Sequence, residues 1–547
     1  MKKIIHNSLL FTLICALVSC KSSYKEEEGM TVFRYNEASN ITSLDPVYAR
    51  NQANIWATSQ VFNSLVQLDE NLEVIPAIAH RWEISDGGLQ YTFFLRDDVY
   101  FHDDPAFDKG KGRLVVAQDF VYSFARIVDP SVNSPGSWVM NPVARHQDGS
   151  LAIKAPSDSV LVILLQEPFP AMTGLLCMQY CSVVPHEAID KYGQEFRRNP
   201  IGTGPFRFRY WKEGVKLVMV KNSGYFEFDS QGNQLPFLDA VAVTFIIDRQ
   251  TAFLEFIKGN LDFLSGVDAS YKDELLTLAG NLQPKYQDRF YKLAGPFLNT
   301  EYLGIFMEQT KEEDISILQK KQIRQAINYG FDREKMLLYL RNNIGTPAHA
   351  GFVPLGMPGF TVNEGGFYYD PAKSRNLLAE AGFPEGQGLP AIGLATTSQY
   401  LDIAQYIQHE LSLLGIRMSI DVIPPATLRE MLSKGDAPFF RHSWIADYPD
   451  AENYLALFYT PNHAPHGPNY TRFSNHEFDR LYEKSVSIVE DSLRHEYYRQ
   501  MDNIIIAEAP VVVLYYDQFI RFLPHYVSNM QVNPLNHLIL KTVTIEK

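Results

Sequence analysis

The sequence predicts an α/β protein with more than one domain. Its 547 residues exceed the roughly 250–300 residues at which a single hydrophobic core stops growing, so two or three domains are expected. From about Lys292 onward, helix and strand patterns alternate with clear punctuation, which is the texture of α/β units. Before that point strand patterns joined by tight turns predominate, so the sheets should be mixed.

Composition bounds the function. Hydrophobic residues make up 46% and charged residues 20%, a globular balance with ample material for large cores. The net charge of -14 and the lack of any Lys/Arg cluster argue against a nucleic-acid partner, whose phosphates would need a basic patch. Aromatic residues reach 13%, enough to pack the cores and also to line a cleft.

At the N-terminus Lys2 and Lys3 precede an apolar run from Leu9 to Val18, too short for a comfortable bilayer span and typical of a secretory signal. The run ends in Leu17-Val18-Ser19-Cys20, which resembles a bacterial lipobox, with Cys20 as the lipidated residue after a signal peptide of residues 1–19. Residues 20–29, including Lys25-Glu26-Glu27-Glu28, read as a solvated tether. The folded part is thus expected outside the cytoplasm, held at a membrane face by acyl chains. Once Cys15 leaves with the signal and Cys20 is lipidated, Cys177 and Cys181 remain. Their spacing suits neither zinc nor redox chemistry, and a helix would hold them poorly for a disulfide, so buried free thiols are expected.

Along the chain, Met30 to Arg34 alternates as a strand, a polar stretch ends at Pro46, and a helix is expected from Gln52 to Phe62. Two strand patterns flank Asp86-Gly87-Gly88, a hairpin turn, and Val99 to His102 is expected as a third strand. His102-Asp103-Asp104 has metal-ligand residue types, yet successive strand side chains point to opposite faces, so a surface turn is expected. Phe120, Phe124 and Ile127 recur at helical spacing. Gly202-Thr203-Gly204 lacks the lysine and helix start of a phosphate loop and reads as a tight turn into a strand. Trp211 to Tyr225 and Val241 to Ile247 read as further strands, and Gln250 to Lys258 as a helix ended by Gly259.

In the second half, Asp370 caps a helix that starts at Pro371 and closes at Gly382. Ile403, Ile407, Leu411 and Leu414 form one helical face ended by Gly415, and Ile416, Met418, Ile420 and Val422 then alternate as a strand. Ser474 and Glu477 are expected to form a capping box.

The ordered motifs resemble a known family. Ser43-Leu44-Asp45-Pro46, Pro76 to Trp82, Tyr91 to Arg96, Phe101-His102-Asp103, Asp119 to Ser123, Asn199 to Phe206, Arg324 to Arg333, Tyr369 to Lys373 and Ala509 to Tyr516 follow the order of the family-5 extracellular solute-binding proteins of bacterial ABC importers, the oligopeptide- and dipeptide-binding type. His102-Asp103-Asp104 departs from the family's His-Asp-Gly, in a loop that also carries a short Gly110/Gly112 insertion. The resemblance implies a two-lobed periplasmic-binding-protein-like fold of class II type, with three domains and a two-segment hinge near Tyr291 to Gly304 and Pro510 to Phe522. Domain I would comprise residues 30–65, 181–291 and 511–547, domain II residues 66–180, and domain III residues 292–510.

The stretch from Pro438 to Tyr454 reads as a short strand followed by an acidic turn at Pro449. It places Arg441, Trp444 and Asp447 at alternate or near-alternate positions. An ordinary Arg441–Asp447 salt bridge with Trp444 in the core is one reading of these residues. The resemblance implies another: Asp447 receives a peptide's α-ammonium, Arg441 a carboxylate, and Trp444 walls a pocket. The implied partners are a peptide and the permease subunits of an importer, with a monomeric binding protein, no cofactor and no catalysis. His463 and His466 flank Ala464-Pro465 and are expected to be solvated rather than metal-binding. No Gly-x-Ser-x-Gly or His-Glu-x-x-His motif supports a hydrolase. Binding of a metal chelate or oligosaccharide on the same fold, and a peptide-sensing lipoprotein without a transporter, are the alternatives.

Overall fold

The computed structural model describes residues 29–308, 317–360 and 365–546. The expected signal peptide, Cys15, the Cys20 lipidation site and the tether up to residue 28 lie outside the described residues.

Strand β1 (Val32–Asn36) pairs in parallel with Ala240–Thr244, and the sheet continues through Lys216–Lys221 to Phe206–Lys212. Helix α1 (Gln52–Val61) starts at Asn51, whose side chain accepts from the Asn54 amide; this satisfies one of the donors that a helix start leaves open. A second four-stranded sheet runs Ala79–Ser85, Gln90–Leu95, Val160–Leu164, Ile153–Ser157. Its first hairpin turns where Gly87 and Gly88 take φ of 65° and 96°, a left-handed conformation that favours glycine. Helix Ala117–Val128 buries Phe120, Phe124 and Ile127, and one continuous core joins these to Phe33 and Phe93 of the two sheets.

The third sheet is mixed and has seven strands. Its main elements are β2 (Phe290–Ile305), helix α2 (Leu401–Ser412), β3 (Phe439–Ile445) and β4 (Val511–Pro524). The strand order is Leu264–Ser265, β4, β2, β3, Ile392–Thr396, Met418–Val422, and the seventh strand, Thr346–Pro347, pairs with β4 off this path. The long β2–β4 pair joins separate cores: Leu523 belongs to the first, whereas Leu303, Ile305, Val512 and Leu514 pack in another beneath α2. Pro296 faces Gln518 and Thr300 faces Tyr516, so β2 bulges over residues 297–299 between the two ends.

Several local expectations change. Val99 to His102 forms no strand, only an isolated bridge from Tyr100 to Leu114. His102 does not lie on a surface turn: it is buried with Nε2 2.9 Å from the Gly204 carbonyl, and burial pushes its pKa down to about 4. Trp211 to Tyr225 is not one strand, because a turn at Gly214 splits Phe206–Lys212 from Lys216–Lys221. The expected Ser474 cap is Asn475, whose side chain accepts from the Phe478 amide, while Ser474 accepts from the Thr460 hydroxyl. Asp370 does cap the helix from Pro371, accepting from the Lys373 amide at 2.8 Å. Gly202 and Gly204 lie against the Val61 carbonyl so closely that a Cβ at either would collide with it.

Candidate functional site

Strand β3 has one satisfied edge and one open edge. Along the first it pairs with β2 from Phe439 to Ile445. The Ala446 amide donates to Leu298 and the Phe306 amide to Pro438, so even-numbered residues of β3 exchange hydrogen bonds with β2 and odd-numbered residues turn theirs outward. On the outer side Ile392–Thr396 meets β3 only at Ala395 and Phe440. Among the described residues no strand pairs with that outward side of β3 at Ser443 and Ile445.

The turn after β3 is held by Asn453, a buried residue of the short helix Glu452–Leu455. Its Oδ1 accepts from Trp444 Nε1 at 2.9 Å and from the Asp447 amide at 3.2 Å, and its Nδ2 donates to Asp447 Oδ2 at 3.4 Å. Glu452 beside it, fully enclosed, accepts from the hydroxyls of Tyr448 and Tyr482. Asp447 is exposed at this turn, yet nearby protein desolvates its carboxyl enough to push it above the usual range against the Asn453 bond. The opposite wall is close. Tyr180 is pushed up to about 12 by burial and then by the Asp447 charge, with Arg50 opposing. Trp138 and Tyr448 rings lie 6.4 Å apart, and Gly174 packs against Pro449.

At the other end of β3, Arg441 pairs with Glu301 of β2 and lies 3.2 Å from the centre of the Tyr400 ring. Glu301 is buried and also accepts from Asn299 Nδ2 at 3.1 Å. Burial raises the Glu301 pKa, Arg441 lowers it and Asp517 raises it again. Asp517 of β4 is paired with Arg341 at 2.9 Å, whose guanidinium lies 4.6 Å from the Tyr515 ring. The salt bridge read for Arg441 thus exists, but with Glu301 and not with Asp447.

Beside this network lies a cavity of about 500 Å³. Gln52 and Trp56 of α1 form part of one wall, and Glu301, Tyr400, Tyr515 and Asp517 part of the other. A recess of about 570 Å³ is larger, but all its walls fall outside residues 292–510 and it holds the Lys541–Glu227 pair, so it is not part of the cleft along β3. Neither Trp444 nor Asp447 lines the 500 Å³ cavity; Arg441 meets it through Glu301 and Tyr400. Trp444 is half-buried against the core containing Phe440 and Tyr454.

Glu301 and Asn453 are the residues that sequence reasoning missed. The available signals were an acid inside the apolar run ending at Ile305, and an asparagine six residues after Asp447. Cys177 and Cys181 are buried free thiols, and burial pushes both pKa values up. His463 lies 3.0 Å from the Phe473 carbonyl, and His466 is exposed. Among the described residues no group of His, Cys, Asp and Glu is arranged to hold a metal ion, and no helix is long and apolar enough to cross a membrane.

The profile of the bacterial extracellular solute-binding proteins, family 5 (middle), matches residues 73–466. The probable deoxycholate-binding periplasmic protein YgiS of Escherichia coli (strain K12) is 27% identical, with 94% of each chain covered. The oligopeptide-binding protein OppA of Bacillus subtilis (strain 168) is also 27% identical, over 93% of this chain and 92% of that one. Among solved structures, the periplasmic binding protein DppA from Helicobacter pylori in complex with peptide STSA matches with a TM-score of 0.74 at 24% identity, covering 94% of this chain and 98% of that chain. The fold is the α/β architecture of periplasmic binding proteins.

Proposed function

Because this chain belongs to the family 5 bacterial extracellular solute-binding proteins, we propose that it is a lipid-anchored receptor that captures peptides and delivers them to the permease of an ABC importer. The observation that carries the peptide reading is the open edge of β3 at Ser443 and Ile445. An extended peptide can complete such an edge through main-chain hydrogen bonds, which read no side chain and so tolerate varied sequences. Asp447 then receives the α-ammonium, Trp444 and Asn453 hold Asp447 in place, and Arg441 acts through its pair with Glu301. The expected carboxylate role of Arg441 would require that pair to open.

In this reading β2 and β4 are the two crossing segments of a hinge, with the bulge at residues 297–299 as the point of bending. Closure brings both walls onto the ligand, so ligand favours the closed form. Cys20 carries the acyl anchor outside the cytoplasm.

Calorimetry tests the ammonium role. Asp447→Ala should weaken a free-amino peptide by at least about 1.5 kcal/mol, the low end for a hydrogen bond to a charged group, and should leave the N-acetylated peptide unaffected. Equal wild-type affinity for the free and acetylated forms would remove Asp447 from this role. The similarity to YgiS, a probable deoxycholate-binding protein, favours a second reading in which the solute is not a peptide. Native mass spectrometry of protein purified without denaturation separates the two by weighing any retained ligand.

A further inference from the structure

We infer that Glu301 bars a ligand carboxylate from Arg441, so that a peptide ending at this point of the cleft is taken in preference with a neutral end, such as a carboxamide. This rests on the peptide reading above. A peptide with its ammonium on Asp447 and its backbone along Ile445 and Ser443 runs toward Arg441. With one ligand residue facing each strand residue, about the third to fifth residue of the peptide comes level with Arg441.

There the guanidinium is already neutralised. Arg441 faces Leu303 and Ser443 faces Glu301 in the β2–β3 register, so the side chains of Arg441 and Glu301 share one face of the sheet. They form an ion pair that is largely buried. Arg441 lies over the Tyr400 ring, and Arg341 repeats the arrangement over the Tyr515 ring with Asp517 as its partner at 2.9 Å. The two pairs together carry no net charge.

The walls around these pairs point the same way. Glu301 lines the 500 Å³ cavity and Arg441 does not, so an arriving carboxylate meets the acid before the base. The Asp517 charge, in the same wall, already acts on Glu301. A third carboxylate would add to that repulsion in a site shielded from bulk water, and a carboxamide would not. The other basic residues of the walls have partners: Arg249 faces Asp268 at 3.7 Å and Lys272 pairs with Asp273 at 3.0 Å. Arg521 has no carboxylate partner among the described residues, but it is fully buried behind Trp56 and Phe263, with its donors on the Asn536 side chain and the His537 carbonyl, and does not line the cavity.

The test measures binding of di-, tri-, tetra- and penta-alanine, each as the free acid and as the C-terminal amide, to the wild type and to Glu301→Gln, which keeps an oxygen acceptor for Asn299. In the wild type the amide should bind about tenfold more tightly than the acid at the length that ends level with Arg441, and Glu301→Gln should bring that ratio to within about twofold or reverse it. An acid equal to its amide at every length, or a ratio that the variant leaves unmoved, overturns the inference. Formate is a probe that needs no peptide, and it is compared with chloride at equal concentration in thermal melts of the wild type and of Glu301→Ala, which opens room beside Arg441. Formate should raise the midpoint of Glu301→Ala, by binding a guanidinium that has lost its counter-ion, and leave the wild type where it is. If no peptide binds yet formate does this, the peptide reading falls and the assignment of Glu301 stands. A Glu301→Ala midpoint that formate does not move, or a wild type that it moves equally, overturns the assignment whatever the peptides show.

Discussion

Replacing Arg441 with methionine should destabilise the protein in a pH-dependent way. The substitution keeps an unbranched apolar side chain but removes the guanidinium that lies over Tyr400 and faces Glu301, a carboxylate with 2% of its surface exposed. Breaking one side of a buried ion pair costs about 3–5 kcal/mol, and here Arg341 is already held by Asp517. Burial and Asp517 raise the Glu301 pKa above its ordinary 4.5 even with Arg441 present, so removal of Arg441 should raise it further. A carboxyl whose folded-state pKa lies above its unfolded one keeps its full share of stability below the unfolded value and loses it as pH rises through the folded value. The deficit should therefore approach about 3–5 kcal/mol at pH 8 and shrink toward pH 5, where folded Glu301 takes up a proton. Urea unfolding of the wild type, Arg441→Met and Glu301→Gln/Arg441→Met at both pH values measures this, and the double variant should recover most of the loss at pH 8. A deficit equal at the two pH values, or a double variant no better than the single, would refute the reasoning.

Other outcomes follow from separate features. Asp502 lies beneath the 351–353 backbone, accepts from the Phe352 amide at 2.8 Å, and is pushed by burial from 3.8 up to about 7, although the residue as a whole keeps some surface. Between about pH 4 and 7 the unfolded chain ionises Asp502 while the folded protein keeps it protonated, so the wild type loses up to about 4 kcal/mol of stability; Asp502→Asn should gain on it over that window in thermal melts, and parallel pH profiles would count against this. Gly204→Ala should lower the urea midpoint by the equivalent of about 1–3 kcal/mol, since the new methyl meets the Val61 carbonyl, and an unchanged midpoint would show that this carbonyl yields freely. Cys20→Ser should abolish acyl labelling and release soluble or uncleaved protein; labelling that persists would retire the lipobox reading.

What was legible in the sequence was local. Asp370 before Pro371, the glycines of the 86–88 turn and the spacing of Phe120, Phe124 and Ile127 each act within a few residues, through dihedral limits and hydrogen bonds that the chain carries with it. The Ser474 reading failed on the same scale, because neighbouring Asn475 competes for the same amide donors and has the better geometry. The strand character of 439–445 was also legible, but not that Trp444 and Asp447 would share Asn453 while Arg441 pairs with Glu301.

The tertiary structure alone decided which partners those side chains have. Glu301 lies 140 residues from Arg441 and becomes its counter-ion only because β2 and β3 pair in one register. The open edge at Ser443 exists because Ile392–Thr396 leaves β3 after Phe440. The sequence by itself determined an α/β chain with a strand over 439–445 followed by an acidic turn. Which charges there are neutralised, and which still face the cleft, depended on long-range packing, since burial and counter-ion are properties of neighbours that the linear order does not bring together.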